Sequence, residues 1–255
     1  MKLAAAALFL VLGCASQAFA ALSRAQLDAV SASPPPAAHL DLKLTARDAN
    51  GRWRSLAQTF SGYPAFVNFV DYTCNTLCGT DLQLLSNAIQ KSHLDPSRYR
   101  IVVIGIDPKD SSRDAREMER KEIPAALWKN TVLLLPGAQF IKRVTTALGF
   151  RYVYDPSLDQ FAHPAAIYVV GADGALRTTL SPFDLATIDL PSILRSQTLV
   201  ASLVGRIRLL CYAYNPATGI YTLRITFILK IAAILTVLAV AASVFAFVRM
   251  GRRVA

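Results

Sequence analysis

The run Ile101-Val102-Val103-Ile104-Gly105-Ile106 constrains the fold more than any other segment. A strand that is apolar at every position, rather than at alternate ones, has both faces covered, as a central strand of a parallel sheet packed between helices does. Residues 65–70 (AFVNFV) form a second strand of the same kind, and residues 82–89 between them carry helical spacing. A charged helix is expected over residues 112–122, ended by Pro124. A strand at 132–135 and a helix at 139–148 continue the alternation. Residues 165–170, the turn Ala172-Asp173-Gly174 and residues 176–180 make a hairpin. Ahead of all this, the alternation of residues 40–44 and the turn at 48–51 predict an edge hairpin. The expectation is an α/β domain over residues 40–198, its central sheet flanked by helices.

Composition matters because the oil is unevenly placed. The chain of 255 residues is 53% hydrophobic and 17% charged, with a net charge of +10, against about 25% charged in an average soluble chain. Lys2 is followed by an apolar run at residues 3–12 and by Ala18-Phe19-Ala20, the pattern of a secretory signal over residues 1–20. Val11-Leu12-Gly13-Cys14 is a partial lipoprotein box that competes with cleavage after Ala20. Residues 21–39 contain the Pro-rich stretch SASPPPAA and are expected to be a linker. At the other end, residues 225–248 are apolar apart from Lys230, long enough to cross a bilayer, which takes about 20 residues. Residues 199–224 form a juxtamembrane segment, and residues 249–255 a short tail whose Arg249, Arg252 and Arg253 place it in the cytoplasm. The expected location is the inner membrane, single-pass, with the working domain in the periplasm. Much of the basic excess gathers around the span, which fits a membrane surface better than a nucleic acid, so no nucleic-acid partner is expected.

Strand–helix–strand–helix followed by a hairpin is the order of a thioredoxin-like sheet, and the cysteines carry the chemistry on it. Cys74 and Cys78 follow the strand at 65–70 and precede a helix. Four residues apart, they fall one helical turn apart, within the roughly 4.4–6.8 Å Cα separation that a disulfide spans. Thiolates at a helix start are stabilised by unpaired N–H groups, and as soft ligands they suit Cu(I) or zinc. The pair is therefore a structural disulfide, a redox couple or part of a metal site. Of the three histidines, His39 ends the linker and His93 sits among polar residues, whereas His163 precedes the strand at 165–170. In a thioredoxin-like sheet that loop lies beside the cysteines, so His163 would complete a site of two sulfurs and one nitrogen.

The segments FVDYTCNTLC (69–78), IGIDPK (104–109) and FAHPAAIYVV (161–170), with GFRY at 149–152, GADG at 171–174 and YAYNPATGIY at 212–221, resemble the Sco/SenC copper proteins, in their C-terminally anchored bacterial branch. The resemblance implies a thioredoxin fold in which Cys74, Cys78 and His163 bind copper, Cu(I) or Cu(II), with Cys74 and Cys78 as a disulfide when oxidised. It also implies Asp159 as an outer-shell acid. It implies a metallochaperone for the binuclear copper centre of cytochrome c oxidase, whose partner is the copper-receiving subunit or another copper chaperone. Two departures stand out: the family usually has Pro after the first Cys and often after the second, where this chain has Asn75 and Gly79. In the tail Ala213 stands where the anchored branch often has His, so Cys211 is not expected to hold a second copper. The alternative function is a thiol–disulfide oxidoreductase with Cys74 and Cys78 as its catalytic pair. Dedicated oxidoreductases of this fold commonly space the two cysteines by two residues and need no histidine, which favours copper.

Overall fold

The computed structural model describes residues 22–74, 78–156 and 159–195, and further on 214–215, 220–221, 231 and 235–236. The expected signal peptide with Cys14, most of the apolar segment 225–248, Cys211, residues 75–77 and the side chain of Cys78 lie outside this description. Among the described residues no helix is long and apolar enough to cross a membrane.

Seven strands form the central sheet: β2 (Thr45–Asp48), β3 (Trp53–Ser55), β4 (Ala65–Val70), β5 (Arg100–Gly105), β6 (Thr131–Leu135), β10 (Ile167–Val170) and β11 (Leu176–Leu180). Their order across the sheet is β11-β10-β4-β5-β6-β2-β3. The two runs without polar alternation, β4 and β5, lie at its centre and pair in parallel, Phe66 beside Ile101 and Val70 beside Gly105. Every residue of β4 is buried, as a strand covered on both faces requires. Helices α3 (Cys78–Lys91) and α4 (Ser112–Glu122) pack with Phe66, Val70, Ile101 and Val103 into one core cluster. On the opposite face, α2 (Leu56–Phe60) and α5 (Ala138–Ala147) pack against Val67, Phe69, Val102 and Ile104. Local chemistry starts the helices. Ser55 and Ser111 each accept a backbone N–H from three residues ahead, from Gln58 and Asp114, and the Gln58 and Asp114 side chains bond back in capping boxes.

The structure corrects two expectations about the N-terminal third. The hairpin is present but lies later in the chain: β2 and β3 pair Thr45 with Ser55, whereas residues 40–44 join no strand. Their alternation instead drives Leu40 fully into the core, with Leu42 and Leu44 packed at its edge. The Pro-rich segment is not a free linker. β1 (Ser31–Ala32) pairs with β7 (Phe150–Arg151), and Ala32 and Ala38 are buried. Gly149 permits that pairing: its φ is +62°, and a Cβ there would run into the Ser33 carbonyl and Pro34. A short helix, α1 (Arg24–Asp28), precedes β1, and α6 (Leu190–Arg195) closes the domain by burying Leu190. Tyr214–Asn215 and Ile220–Tyr221 form a separate two-stranded ladder.

One core position yields a stability test. Tyr168 is completely buried in β10, and its hydroxyl has no hydrogen-bond partner among the described residues. Tyr168→Phe removes that orphaned group at almost no change of shape, and is expected to raise unfolding free energy by about 1–2 kcal/mol in urea denaturation. A loss of stability would show that the hydroxyl is satisfied in solution.

Candidate metal centre

Strand register brings the chemistry to one end of the sheet. β10 runs antiparallel to β4 with Ile167 beside Asn68 and Val170 beside Ala65. The end of β4 and the start of β10 are therefore neighbours, so Cys74, four residues after Val70, and His163, four before Ile167, emerge together. Because β5 is parallel to β4, the loop with Asp107, Lys109 and Asp110 opens at the same end.

The cysteine loop is held by contacts of Tyr72 and Asp71. The Tyr72 ring lies across β5, where a Cβ on Gly105 would sit 2.8 Å from its Cε2, so only glycine leaves room. Its hydroxyl donates to the Val103 carbonyl at 3.0 Å, with the Leu134 carbonyl at 3.2 Å. The Tyr72 N–H donates to Asp110 Oδ2 at 3.0 Å. Asp71 shapes the turn: its Oδ1 accepts the N–H and hydroxyl of Thr73 at 2.9 and 2.8 Å, and its carbonyl accepts the Cys74 N–H at 3.1 Å. Cys74 is in a disulfide.

His163 is half-buried and rests on an aromatic stack. Its ring lies 5.9 Å from that of Phe150, which meets Phe69 at 4.4 Å. A hairpin unseen in the periodicity delivers it: β8 (Val153–Asp155) pairs with β9 (Gln160–Ala162), stiffened by Phe161 against Tyr152 and Tyr154. The His163 Nδ1 lies 3.2 Å from the Pro164 carbonyl. That contact places the proton on Nδ1 and leaves Nε2 as the donor atom. Burial pushes the imidazole below its usual value, with the Pro164 carbonyl and the Asp71 charge acting the other way. A neutral imidazole and, once the disulfide is reduced, a cysteine thiolate make a donor set that fits copper. Among the described residues no group of three or more His, Cys, Asp and Glu is gathered closely enough to hold a metal; the Cys78 side chain, the third donor expected, lies outside that set.

Asp159 is engaged elsewhere. Exposed, with φ +48°, it accepts the Tyr154 hydroxyl at 2.5 Å and pairs with Lys109 at 3.4 Å. Both contacts hold its carboxyl below the usual range. They tie the hairpin before His163 to the loop after β5. His39 forms an isolated bridge with Ala175, and His93 sits in a turn beyond α3.

Several acids that sequence reasoning passed over crowd the cysteine segment. Asp71 is fully buried, and its Oδ2 has no hydrogen-bond partner among the described residues. Asp81, three residues after Cys78, is pushed up to about 7 by burial. Burial also pushes Asp110 up to about 7, with the charges of Asp71, Asp107 and Asp114 adding to the rise and the Tyr72 N–H opposing it. Glu122 reaches from α4 onto Gly79. Only Asp71 had a local signal, a carboxylate at the exit of an apolar strand; the approach of Glu122 depends on helix packing.

A central mixed sheet between helices, with a cysteine after the first central strand and a histidine before the neighbouring antiparallel strand, defines a thioredoxin-like α/β protein. The SCO1/SenC family model matches residues 34–196, and the chain belongs to that family. Solved structures agree on the fold. A SCO1/SenC family lipoprotein from Bacillus anthracis superposes with a TM-score of 0.51 at 16% identity, covering 64% of this chain and 96% of that one. Arabidopsis thaliana ScoI with copper bound gives 0.50 at 16% identity, over 59% and 93%. BsSco, a member of the Sco family of cytochrome c oxidase assembly proteins in which a disulfide switch was identified, gives 0.50 at 19% identity, over 63% and 96%. No curated protein matches the chain.

Proposed function

We propose that this chain is a membrane-tethered copper metallochaperone for assembly of the binuclear copper centre of cytochrome c oxidase, taking copper as cargo on Cys74, Cys78 and His163. The register that brings Cys74 and His163 out together beside the β4–β10 pair carries the reading. Family membership supports it, and so do the copper held by the Arabidopsis relative and the assembly role of BsSco's family. In this reading the Cys74 disulfide is to Cys78 and must be reduced before the thiolates can bind metal. A loop-built site with an open coordination position lets a receiving subunit, or another copper chaperone, take the ion by ligand exchange. Residues 1–20 direct export, residues 40–198 face the periplasm and residues 225–248 anchor the chain in the inner membrane, ahead of the cytoplasmic tail 249–255.

One observation favours a second reading. Cys74 is in a disulfide, the oxidised half of a couple whose dithiol half would serve a thiol–disulfide oxidoreductase that reduces the copper-centre cysteines of the oxidase or another exported partner. Titrating copper into the reduced full chain in detergent, against a competing chelator, tests the first reading. Cys74→Ser and Cys78→Ser are each expected to weaken binding by more than about 100-fold, since even partners one shell removed cost about 10–100-fold. Parent-like affinity in both variants would reject the site. Full reduction of an oxidised dithiol partner by His163→Ala, with no dependence on copper, would favour the oxidoreductase.

A further inference from the structure

Gly79 stands directly after Cys78 at the second position of α3, and α4 lays a carboxylate on it. A Cβ at Gly79 would lie 2.7 Å from both Cγ and Oε1 of Glu122 and closer still to Cδ. The Glu122 side chain thus fills the volume that any other residue at position 79 would claim, including the Pro that the family often carries there. Glu122 is only 8% exposed. Its ion pair with Lys121 is long, 3.5 Å, and that lysine side chain is 68% exposed. Water therefore screens the ammonium far more than the carboxylate it faces. Nor is α4 free to carry Glu122 away. The Ser111–Asp114 capping box holds its start, Ala115 and Met118 are buried in the core, and Arg116 bonds Glu119 at 2.7 Å.

We propose that Glu122 sets the oxidation-state preference of the copper site, favouring Cu(II) over Cu(I) through its charge beside the Cys78 end of α3. The inference rests on the reading that Cys74, Cys78 and His163 hold copper. The same donors hold one more positive charge in Cu(II) than in Cu(I). A fixed, poorly screened negative charge next to one donor residue therefore stabilises the doubly charged ion more. Glu122 acts by position and charge, touching the residue beside the ligand rather than the metal.

The test measures Cu(II) and Cu(I) affinities of the reduced full chain separately, each against a chelator specific for that ion, with free thiols counted before and after so that only chain whose cysteines stayed reduced enters the Cu(II) affinity. Glu122→Gln is expected to lower the ratio of Cu(II) to Cu(I) affinity about tenfold. Glu122→Asp keeps the charge and is expected to hold the ratio within about threefold of the parent. An unchanged ratio in Glu122→Gln overturns the inference. So does an Asp variant that shifts as far as the Gln variant, because packing rather than charge would then be the cause. If copper binding in the parent does not depend on Cys74, Cys78 and His163, the site itself fails and this inference falls with it. If that dependence holds and the ratio does not move, only the role of Glu122 is lost.

Discussion

His163→Ala is expected to weaken copper binding by more than about 100-fold while leaving the fold and the Cys74 disulfide in place. The side chain sits at the mouth of β10, half-buried, with Nδ1 against the Pro164 carbonyl at 3.2 Å. Removing it leaves the sheet register and the Phe69–Phe150 contact intact, because neither uses the imidazole. What disappears is a nitrogen donor kept neutral by burial. Since that burial holds the imidazole below its usual value, the donor stays deprotonated throughout neutral pH, and a proton does not compete with copper there. The check is a chelator competition on the reduced full chain, with circular dichroism to verify folding. Parent-like affinity in a folded His163→Ala chain would remove nitrogen from the ligand set and leave the oxidoreductase reading ahead.

The second large effect concerns stability. Asp81 lies in the first turn of α3, 7% exposed, and burial raises its carboxyl from the ordinary 3.8 to about 7. In the unfolded chain the proton leaves near pH 4; in the folded chain it is held to about 7. Between those values the folded state binds more protons, so this group's contribution is full below pH 4 and is lost as pH rises through 7. The loss is on the order of 4 kcal/mol, from about 1.4 kcal/mol for each pH unit of difference. Asp81→Asn abolishes the titration. Compared with the parent in urea denaturation, the variant is expected to gain relative stability from pH 4 to about pH 7 and to level off above it. A parent-minus-variant difference that stays flat across that range would show that the carboxyl is solvated in the folded chain.

Much of the framework was legible because it follows from local period. Apolar runs marked β4, broken only by Asn68, and β5 after Arg100, and the Ser111–Asp114 capping box opened α4 where the charged pattern began. The turn Ala172-Asp173-Gly174 does join β10 to β11, and Gly174 has a positive φ of +90°. The strand ends that carry Cys74 and His163 were legible too, and the β4–β10 register puts those two ends side by side. Short elements were harder. β1 and β7 have two residues each, and β8 and β9 three, too few to show a period. The leucines at 40, 42 and 44 do alternate, yet they serve the core rather than a ladder, because the Leu40 N–H is taken by the Gly174 carbonyl.

Residue order alone settled the class of sheet, the cysteine spacing and the strand that His163 precedes, because each depends on a side-chain pattern within a few neighbours. Only the folded chain decided the electrostatics around those cysteines. Asp71, Asp81, Asp110 and Glu122 come from three different segments, and their burial and mutual distances depend on how α3 and α4 pack on the sheet. A carboxylate in a sequence has no surroundings. Packing decides whether it faces water, a glycine beside a ligand or another acid, and so decides what its charge does.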